Sequence, residues 1–224
     1  MTERARAAAC AGGVLALTAA WVVAGLTTDG FDPRTQSISQ LQRAGTATGA
    51  VMTSAFLAFS AGALAFAPVI GARMGRKAQA ALVTAGLATL GVAVSPLGEV
   101  RGGLVDDLHL AFGATGYAAL SVLPLLAAHR LPSRARAASY AVGAAVSACL
   151  LGTVPADELS GLLQRGGFVL GHGWLVGCAV AVWRSPPGGT SGTSAPDRGI
   201  DLRARRRRRR ALPRRGRPAG RRTA

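Results

Sequence analysis

The chain has 224 residues, of which 50% are hydrophobic and only 16% are charged. A soluble domain of this length carries about 25% charged residues, so the composition excludes an ordinary soluble enzyme and indicates a chain surrounded by lipid. The formal net charge of +16 would fit nucleic-acid binding, but 14 arginines and 2 aspartates lie from Arg184 onward, which leaves a net charge of only +4 before that point. The strongly basic character therefore belongs to a tail.

Six apolar stretches are long enough to cross a bilayer as helices, since about 20 residues span its hydrocarbon core. The first stretch is predicted to remain in the protein, because it lacks a clear signal-peptide cleavage site before Asp29. The sequence therefore predicts an all-α fold, a polytopic membrane bundle of six transmembrane helices within residues 1–184. In chain order the stretches run near Ala7–Leu26, Thr48–Ile70, Ala78–Ser95, Leu108–Ala128, Ala137–Val154 and Gly166–Trp183.

The charges in the connections between these stretches alternate along the chain. Basic residues in short loops stay on the cytoplasmic side, and they dominate at the N-terminus and in the second and fourth connections, whereas most acidic residues lie in the other three. The sequence therefore predicts N-in/C-in topology, with both termini cytoplasmic. The deciding basic residues are Arg4, Arg6, Arg73, Arg76, Lys77, Arg130, Arg134 and Arg136.

Residues 185–224 form the tail, which begins with Pro, Gly, Ser and Thr and continues with arginines. Such a composition offers too little apolar surface to offset chain entropy, so the tail is predicted to be disordered and cytoplasmic. A polybasic segment beside a membrane attracts anionic headgroups. We expect membrane lipids as its partners and no specific nucleic acid.

The longest polar stretch between two apolar stretches runs from Phe31 to Leu41; we call it the polar segment. Asp32 before Pro33 is a typical helix N-cap and first-turn pair, which predicts a short helix from Pro33 on. Ile38 and Leu41 would share one face of that helix, on the membrane surface or in the mouth of the bundle. Capping does not account for Ser37, Ser39 and Gln40.

Three other groups of polar residues belong to the same predicted outer half of the protein. An ionisable side chain within a bilayer is costly and by default marks a functional site, and His172 is the strongest such case; the alternative is a neutral histidine that hydrogen-bonds a neighbouring helix. The sequence predicts a polar pocket at the outer leaflet. Its candidate ligand-binding residues are Asp32, Ser37, Gln40, Gln164 and Arg165, and its candidate catalytic residues are Ser39, Asp107, His109 and His172.

Metal and cofactor motifs are absent from the sequence. A zinc site needs about three ligands, and Asp107, His109 and His172 could supply them only if the fourth and sixth helices are neighbours. No HExxH or CxxC pattern, Walker A loop or dinucleotide fingerprint occurs. Cysteines 10, 149 and 178 lie in apolar stretches and are predicted to be small buried hydrophobes. We therefore predict no metal and no cofactor.

Small residues recur at helical spacing in the sixth stretch. Gly167-xxx-Gly171 and Gly173-xxx-Gly177 both follow the pattern that lets transmembrane helices approach closely. Because glycine and alanine are abundant throughout the chain, such spacings also arise by chance.

Two of these motifs together resemble a known family. Asp32-Pro33-x4-Ile38-Ser39-x-Leu41 after a first transmembrane helix is similar to the signature of the domain-of-unknown-function 998 family of bacterial integral membrane proteins. The stretch Gly161–Arg165 before the last helix is similar to that family's closing segment, and an acidic-plus-histidine patch opens the fourth helix in both. The resemblance implies six helices in a bacterial plasma membrane and no established activity.

A weaker similarity of layout links the chain to the membrane hydrolases that include alkaline ceramidases, which place Ser, Asp and several His at one membrane face. Two functional hypotheses follow. The first is a multi-pass membrane protein whose outer polar pocket binds a lipid or small molecule. The alternative is a membrane-embedded, possibly metal-dependent lipid hydrolase. The sequence leaves the oligomeric state open.

Overall fold

A computed structural model describes residues 1–98, 102–154 and 158–185. These residues form six long helices, each long and apolar enough to cross a membrane, and no named strand. The predicted all-α bundle of six helices is confirmed, whereas the predicted disorder of the tail lies outside the described residues. The helices are α1 (Glu3–Thr27), α2 (Ala47–Met74), α3 (Arg76–Val94), α4 (Leu104–Ala128), α5 (Ser133–Gly152) and α6 (Ser160–Arg184), and a short 3₁₀ helix covers Ile38–Leu41.

The first helix and the last three begin four to six residues earlier than the apolar stretches predict, and α1 begins at Glu3. α4 begins at Leu104, α5 at Ser133 and α6 at Ser160. A hydropathy window counts only apolar residues, whereas the first turn of a helix accepts polar ones. Asp106 and Asp107 consequently lie in the first turn of α4, where carboxylates interact favourably with the helix dipole.

The six helices form a ring in chain order. Each packs against the next, α6 closes the ring against α1, and α4 also contacts α6. The α1–α2 pair approaches most closely through two glycines: a Cβ on Gly13 would lie 2.6 Å from the Ala58 carbonyl oxygen, and one on Gly62 would lie 2.5 Å from that of Ala9. Without side chains at these positions the two backbones come into direct contact.

The start of α1 meets the ends of α2 and α6 at one end of the bundle, which we call the terminal end. An Nη2 atom of Arg73 lies 2.7 Å from a Glu3 carboxylate oxygen. Arg4 donates a 3.0 Å hydrogen bond to the Ser185 carbonyl, and Trp183 Nε1 donates to the Arg4 carbonyl at 3.2 Å. Because α1 runs away from this end, the polar segment lies at the other end, the polar end.

Candidate functional site

The polar segment begins with a turn and not with the helix predicted from Pro33. One carboxylate oxygen of Asp32 accepts a 2.9 Å hydrogen bond from the Arg34 amide, and the other accepts a 3.0 Å bond from the Thr35 hydroxyl. These two donors lower the pKa of the exposed Asp32 carboxyl, with a further contribution from the positive charge of Arg34. The turn is closed by a 2.9 Å hydrogen bond from the Gln36 amide to the Asp32 carbonyl, so Asp32 caps one turn as predicted, and the 3₁₀ helix Ile38–Leu41 follows it.

The helix from Pro33 fails because α6 takes the carbonyls that it would need. Arg165 donates through Nη1 to the carbonyls of Pro33 and Gln36, both at 2.8 Å, and the Leu162 amide donates to the Arg34 carbonyl at 3.0 Å. A carbonyl aimed at another helix is poorly placed to accept from an amide further along its own segment. Tertiary contacts therefore stop the helix after its first turn, although the capping bond of Asp32 is present.

Two further bonds fix the polar segment to the start of α6. The Ile38 amide donates to Gln164 Oε1 at 2.7 Å, and the Ser160 hydroxyl donates to the Thr35 carbonyl at 2.8 Å. Ile38 and Leu41 are buried on one side, with 4% and 2% of their surface exposed. The shared face predicted for these two residues is present, and it points into the bundle.

Gly161 is the residue of α6 over which the polar segment lies. A Cβ at this position would overlap the Gln36 carbonyl oxygen and would lie 2.8 Å from that of Pro33. Arg165 Nη1 also donates to the Gly161 carbonyl at 2.9 Å. The stretch Gly161–Arg165 is thus the docking site for the polar segment, which explains physically why the two motifs occur together.

A cavity of about 450 Å³ lies between the polar segment and the helices. It is lined by His109 and His172 and by most of the other polar residues proposed from the sequence, and its remaining wall is largely aliphatic and aromatic. Asp32 and Arg165 are not among its lining residues. The candidate residues that it brings together are Ser37, Ser39, Gln40, Asp107, His109, Gln164 and His172.

The family of the chain follows from its sequence taken as a whole. Residues 10–181 match the family described as protein of unknown function (DUF998). The chain belongs to this family. No curated protein and no solved structure matches it. The polar segment and Gly161–Arg165, which carried the resemblance, are therefore the parts of this DUF998 protein that the structure joins.

His109 has a defined tautomer in this DUF998 chain. Its Nδ1 lies 2.6 Å from the Ser95 carbonyl oxygen, which can only accept a hydrogen bond. Nδ1 therefore carries the hydrogen, and in the neutral ring Nε2 is an acceptor. The ring is buried, and Nε2 has no hydrogen-bond partner among the described residues.

His172 is packed among aromatic rings in the bundle interior. Its ring centroid lies 4.9 Å from that of Phe59 and 5.2 Å from that of Phe168, and Phe168 stacks on Tyr117 at 4.9 Å. The buried Nε2 of His172 makes no hydrogen bond within the described chain. At this atom, the interhelical hydrogen bond that the alternative hypothesis requires is not present.

The two aspartates at the start of α4 have different surroundings. Asp106 accepts hydrogen bonds from the amides of Gly98 and Gly102 at 3.2 Å and 2.8 Å, so it holds these two glycines at the start of α4. Asp107 is exposed at the cavity. Within the described residues, no three His, Cys, Asp or Glu side chains form a group that could hold a metal ion.

Two residues at this end were missed from the sequence, because neither belongs to a motif. The Tyr117 hydroxyl donates to the Leu163 carbonyl at 3.2 Å and joins α4 to α6. Gln42 is fully buried, and its Nε2 donates to Thr53 Oγ1 at 2.9 Å and to the Ala93 carbonyl at 3.1 Å. For Gln42, the sequence offered one signal of a buried polar contact, which is a polar residue beside an apolar stretch.

Proposed function

We propose that this DUF998 protein is a membrane-embedded binding protein whose cavity holds the chain of a lipid or a similar amphiphile. The observation that carries the proposal is the cavity of about 450 Å³, which combines a largely apolar wall with a few polar groups. Small-molecule pockets in proteins have volumes of about 300–1,000 Å³ and the same kind of lining.

The shape of the cavity favours an elongated ligand. Asp107 and Leu120 both line it and lie thirteen residues apart on α4, which corresponds to about 20 Å along a helix. The deeper wall includes Phe59 and Leu120, whereas Ser37 and Gln40 come from the polar segment. The ligand would thus place its alkyl chain among the aromatic side chains and its polar group beside the polar segment.

The cellular setting is part of the same proposal. The distribution of basic residues supports a topology with both termini in the cytoplasm and the polar end at the outer leaflet, and the family resemblance supports a bacterial plasma membrane as the setting. The arginines of the tail then face anionic headgroups at the inner surface. A ligand would enter the cavity from the outer leaflet.

The test replaces one glycine that lines the cavity with a residue whose side chain occupies part of it. A Cβ on Gly113 meets no atom within 4 Å, and Gly113 lines the cavity, so Gly113→Leu starts in open space and extends into ligand volume. Gly173→Leu is the matched control, since Gly173 is equally open but exposed and outside the lining. Lipids retained by each purified variant are extracted and identified by mass spectrometry. We expect the retained lipid to be lost from Gly113→Leu and kept by Gly173→Leu; equal retention by both variants contradicts the proposal.

The lipid hydrolase remains the second candidate because of one contact. The hydroxyls of Ser37 and Ser39 lie 3.0 Å apart at the cavity that His109 and His172 also line. A hydroxyl and an acceptor imidazole are the components of a nucleophile and its base. Recovery of cleaved lipid from the wild type and of intact lipid from Ser39→Ala favours hydrolysis, whereas intact lipid from both favours binding alone.

A further inference from the structure

A second concave surface lies outside the cavity, between α3 and α4. Its volume is about 580 Å³, and its wall consists of alanine, threonine and two larger aliphatic side chains, with one lysine. None of its residues lines the cavity beneath the polar segment. We call this surface the α3–α4 groove. Its lining residues are Lys77, Ala80, Ala81, Thr84, Thr115, Ala118, Ala119, Val122 and Leu126.

The terminal end of the α3–α4 groove is positively charged. Lys77 lies in the first turn of α3 and is exposed. Arg130, just after α4, places its Nε 3.9 Å from where a Cβ on Gly75 would lie, immediately before α3. Arg130 therefore lies beside the start of α3, at the same end of the molecule as Lys77, which lines the groove.

These cations have no carboxylate partner in the described chain. The ion pair found in the described chain joins Arg73 to Glu3. Lys77 and Arg130 therefore have no described carboxylate that neutralises their charges. No side chain caps the start of α3, and the unpaired amides of a helix N-terminus attract anions. The charges and the helix start thus favour the same kind of group.

We propose that the α3–α4 groove binds an anionic phospholipid of the surrounding bilayer. One acyl chain lies along Ala80, Thr84 and Ala118, and the phosphate lies at Lys77, Arg130 and the first amides of α3. An apolar groove that ends in unpaired cations matches a molecule with an alkyl chain and an anionic head. A free anion in water gains nothing from the apolar wall, and a zwitterionic lipid carries no net charge for the two cations to attract.

The test measures which lipid stays bound. Purified full-length protein is incubated with equimolar phosphatidylglycerol and phosphatidylcholine and examined by native mass spectrometry. We expect wild type to retain phosphatidylglycerol in preference, and Lys77→Ala/Arg130→Ala to retain it about 30-fold less, since each charge near the surface contributes about 1 kcal/mol. Ala118→Trp, which fills the groove and keeps both charges, should also lose the lipid.

Arg134→Ala is the control, because Arg134 is an exposed cation at the same end that belongs to α5 and not to either helix of the groove. It should retain phosphatidylglycerol as wild type does. Equal retention of the two lipids by wild type overturns the proposal. So does undiminished retention by the double variant or by Ala118→Trp, or displacement of the lipid by inorganic phosphate alone. Gly113→Leu leaves this groove unchanged, so a failure here is distinct from a failure of the cavity.

Discussion

Arg165 is a buried cation whose charge is stabilised by the backbone of its own chain. Three carbonyl oxygens accept from its Nη1 within 2.9 Å, and its guanidinium carbon lies 5.2 Å from the Phe31 ring centroid and 5.7 Å from that of Trp21. Nη1 carries two hydrogens, so two of the three carbonyls share one of them, and the contacts with the two rings add cation–π attraction. From the sequence, Arg165 was a candidate ligand-binding residue; its position identifies it as the residue that holds the polar segment in place.

Removing this side chain should loosen the polar segment. Arg165→Ala leaves the carbonyls of Pro33 and Gln36 without this donor, and we expect a loss of about 3 kcal/mol in the free energy of unfolding, since hydrogen bonds to charged groups contribute about 1.5–3 kcal/mol each and do not add fully. Arg43→Ala is the control, because Arg43 is exposed and surface changes stay within about 0.5 kcal/mol. Denaturant unfolding in detergent measures both variants. We call the contacts of Arg165 with the polar segment the clamp. Equal stability of the two variants would show that the clamp is energetically unimportant.

On the scale of one element, α6 uses only one of its two small-residue patterns. A Cβ on Gly167 would overlap the Tyr117 hydroxyl, and one on Gly171 would lie 2.8 Å from Leu120 Cγ, so this pair makes room for two side chains of α4, a partner helix that the spacing did not identify. Gly173 and Gly177 have nothing within 4 Å of a Cβ, and the close packing expected there is wrong. The two glycine pairs have the same spacing along α6. They differ in packing because the first pair faces α4 and the second pair does not.

Alanine substitutions on α6 should therefore act in opposite directions. Gly167→Ala forces Tyr117 away from α6 and breaks its bond to the Leu163 carbonyl, so we expect a loss of about 1–3 kcal/mol. Gly173→Ala meets no atom and improves helix propensity, so we expect a gain of about 0.5–1 kcal/mol. Thermal unfolding of both proteins in the same detergent makes the comparison. A loss of stability from Gly173→Ala as large as that from Gly167→Ala would refute the assignment of faces.

At the scale of the whole molecule, the ring of helices separates two chemically different ends. The terminal end holds exposed cations and the Arg73–Glu3 pair, whereas the polar end holds the contacts of Arg165 and His109. The cavity extends from the polar end to His172, which lies midway along α6. The charge pattern of the loops assigns the terminal end to the cytoplasm. That assignment remains a prediction from sequence, since a helical bundle by itself has no preferred direction in a bilayer.

Fusions to reporter enzymes test the direction of the bundle. An enzyme that is active only in the periplasm should be active when fused after Arg43 and inactive when fused after Lys77, because the two positions lie at opposite ends of α2. A second enzyme, active only in the cytoplasm, should give the reverse pattern. Activity of the periplasmic reporter after Lys77 alone would invert the topology and move the cavity to the inner leaflet.

The sequence by itself determined the number and order of the helices and the end at which the polar residues gather. These are local properties, because an apolar run of sufficient length must form its own backbone hydrogen bonds in lipid. The two family motifs could also be recognised from adjacent residues. Helix starts were placed late for α1, α4, α5 and α6, since polar first turns carry no hydropathy signal.

Only the tertiary structure decided what the polar residues do. Arg165 and Pro33 are 132 positions apart, and the contact between them converts a predicted capped helix into a turn and a candidate ligand contact into a clamp. The same holds for His109, whose tautomer depends on the Ser95 carbonyl, and for Gly167, whose role depends on Tyr117. Each outcome rests on which atom of a distant segment comes within bonding distance, and residue type and spacing along the chain do not specify that.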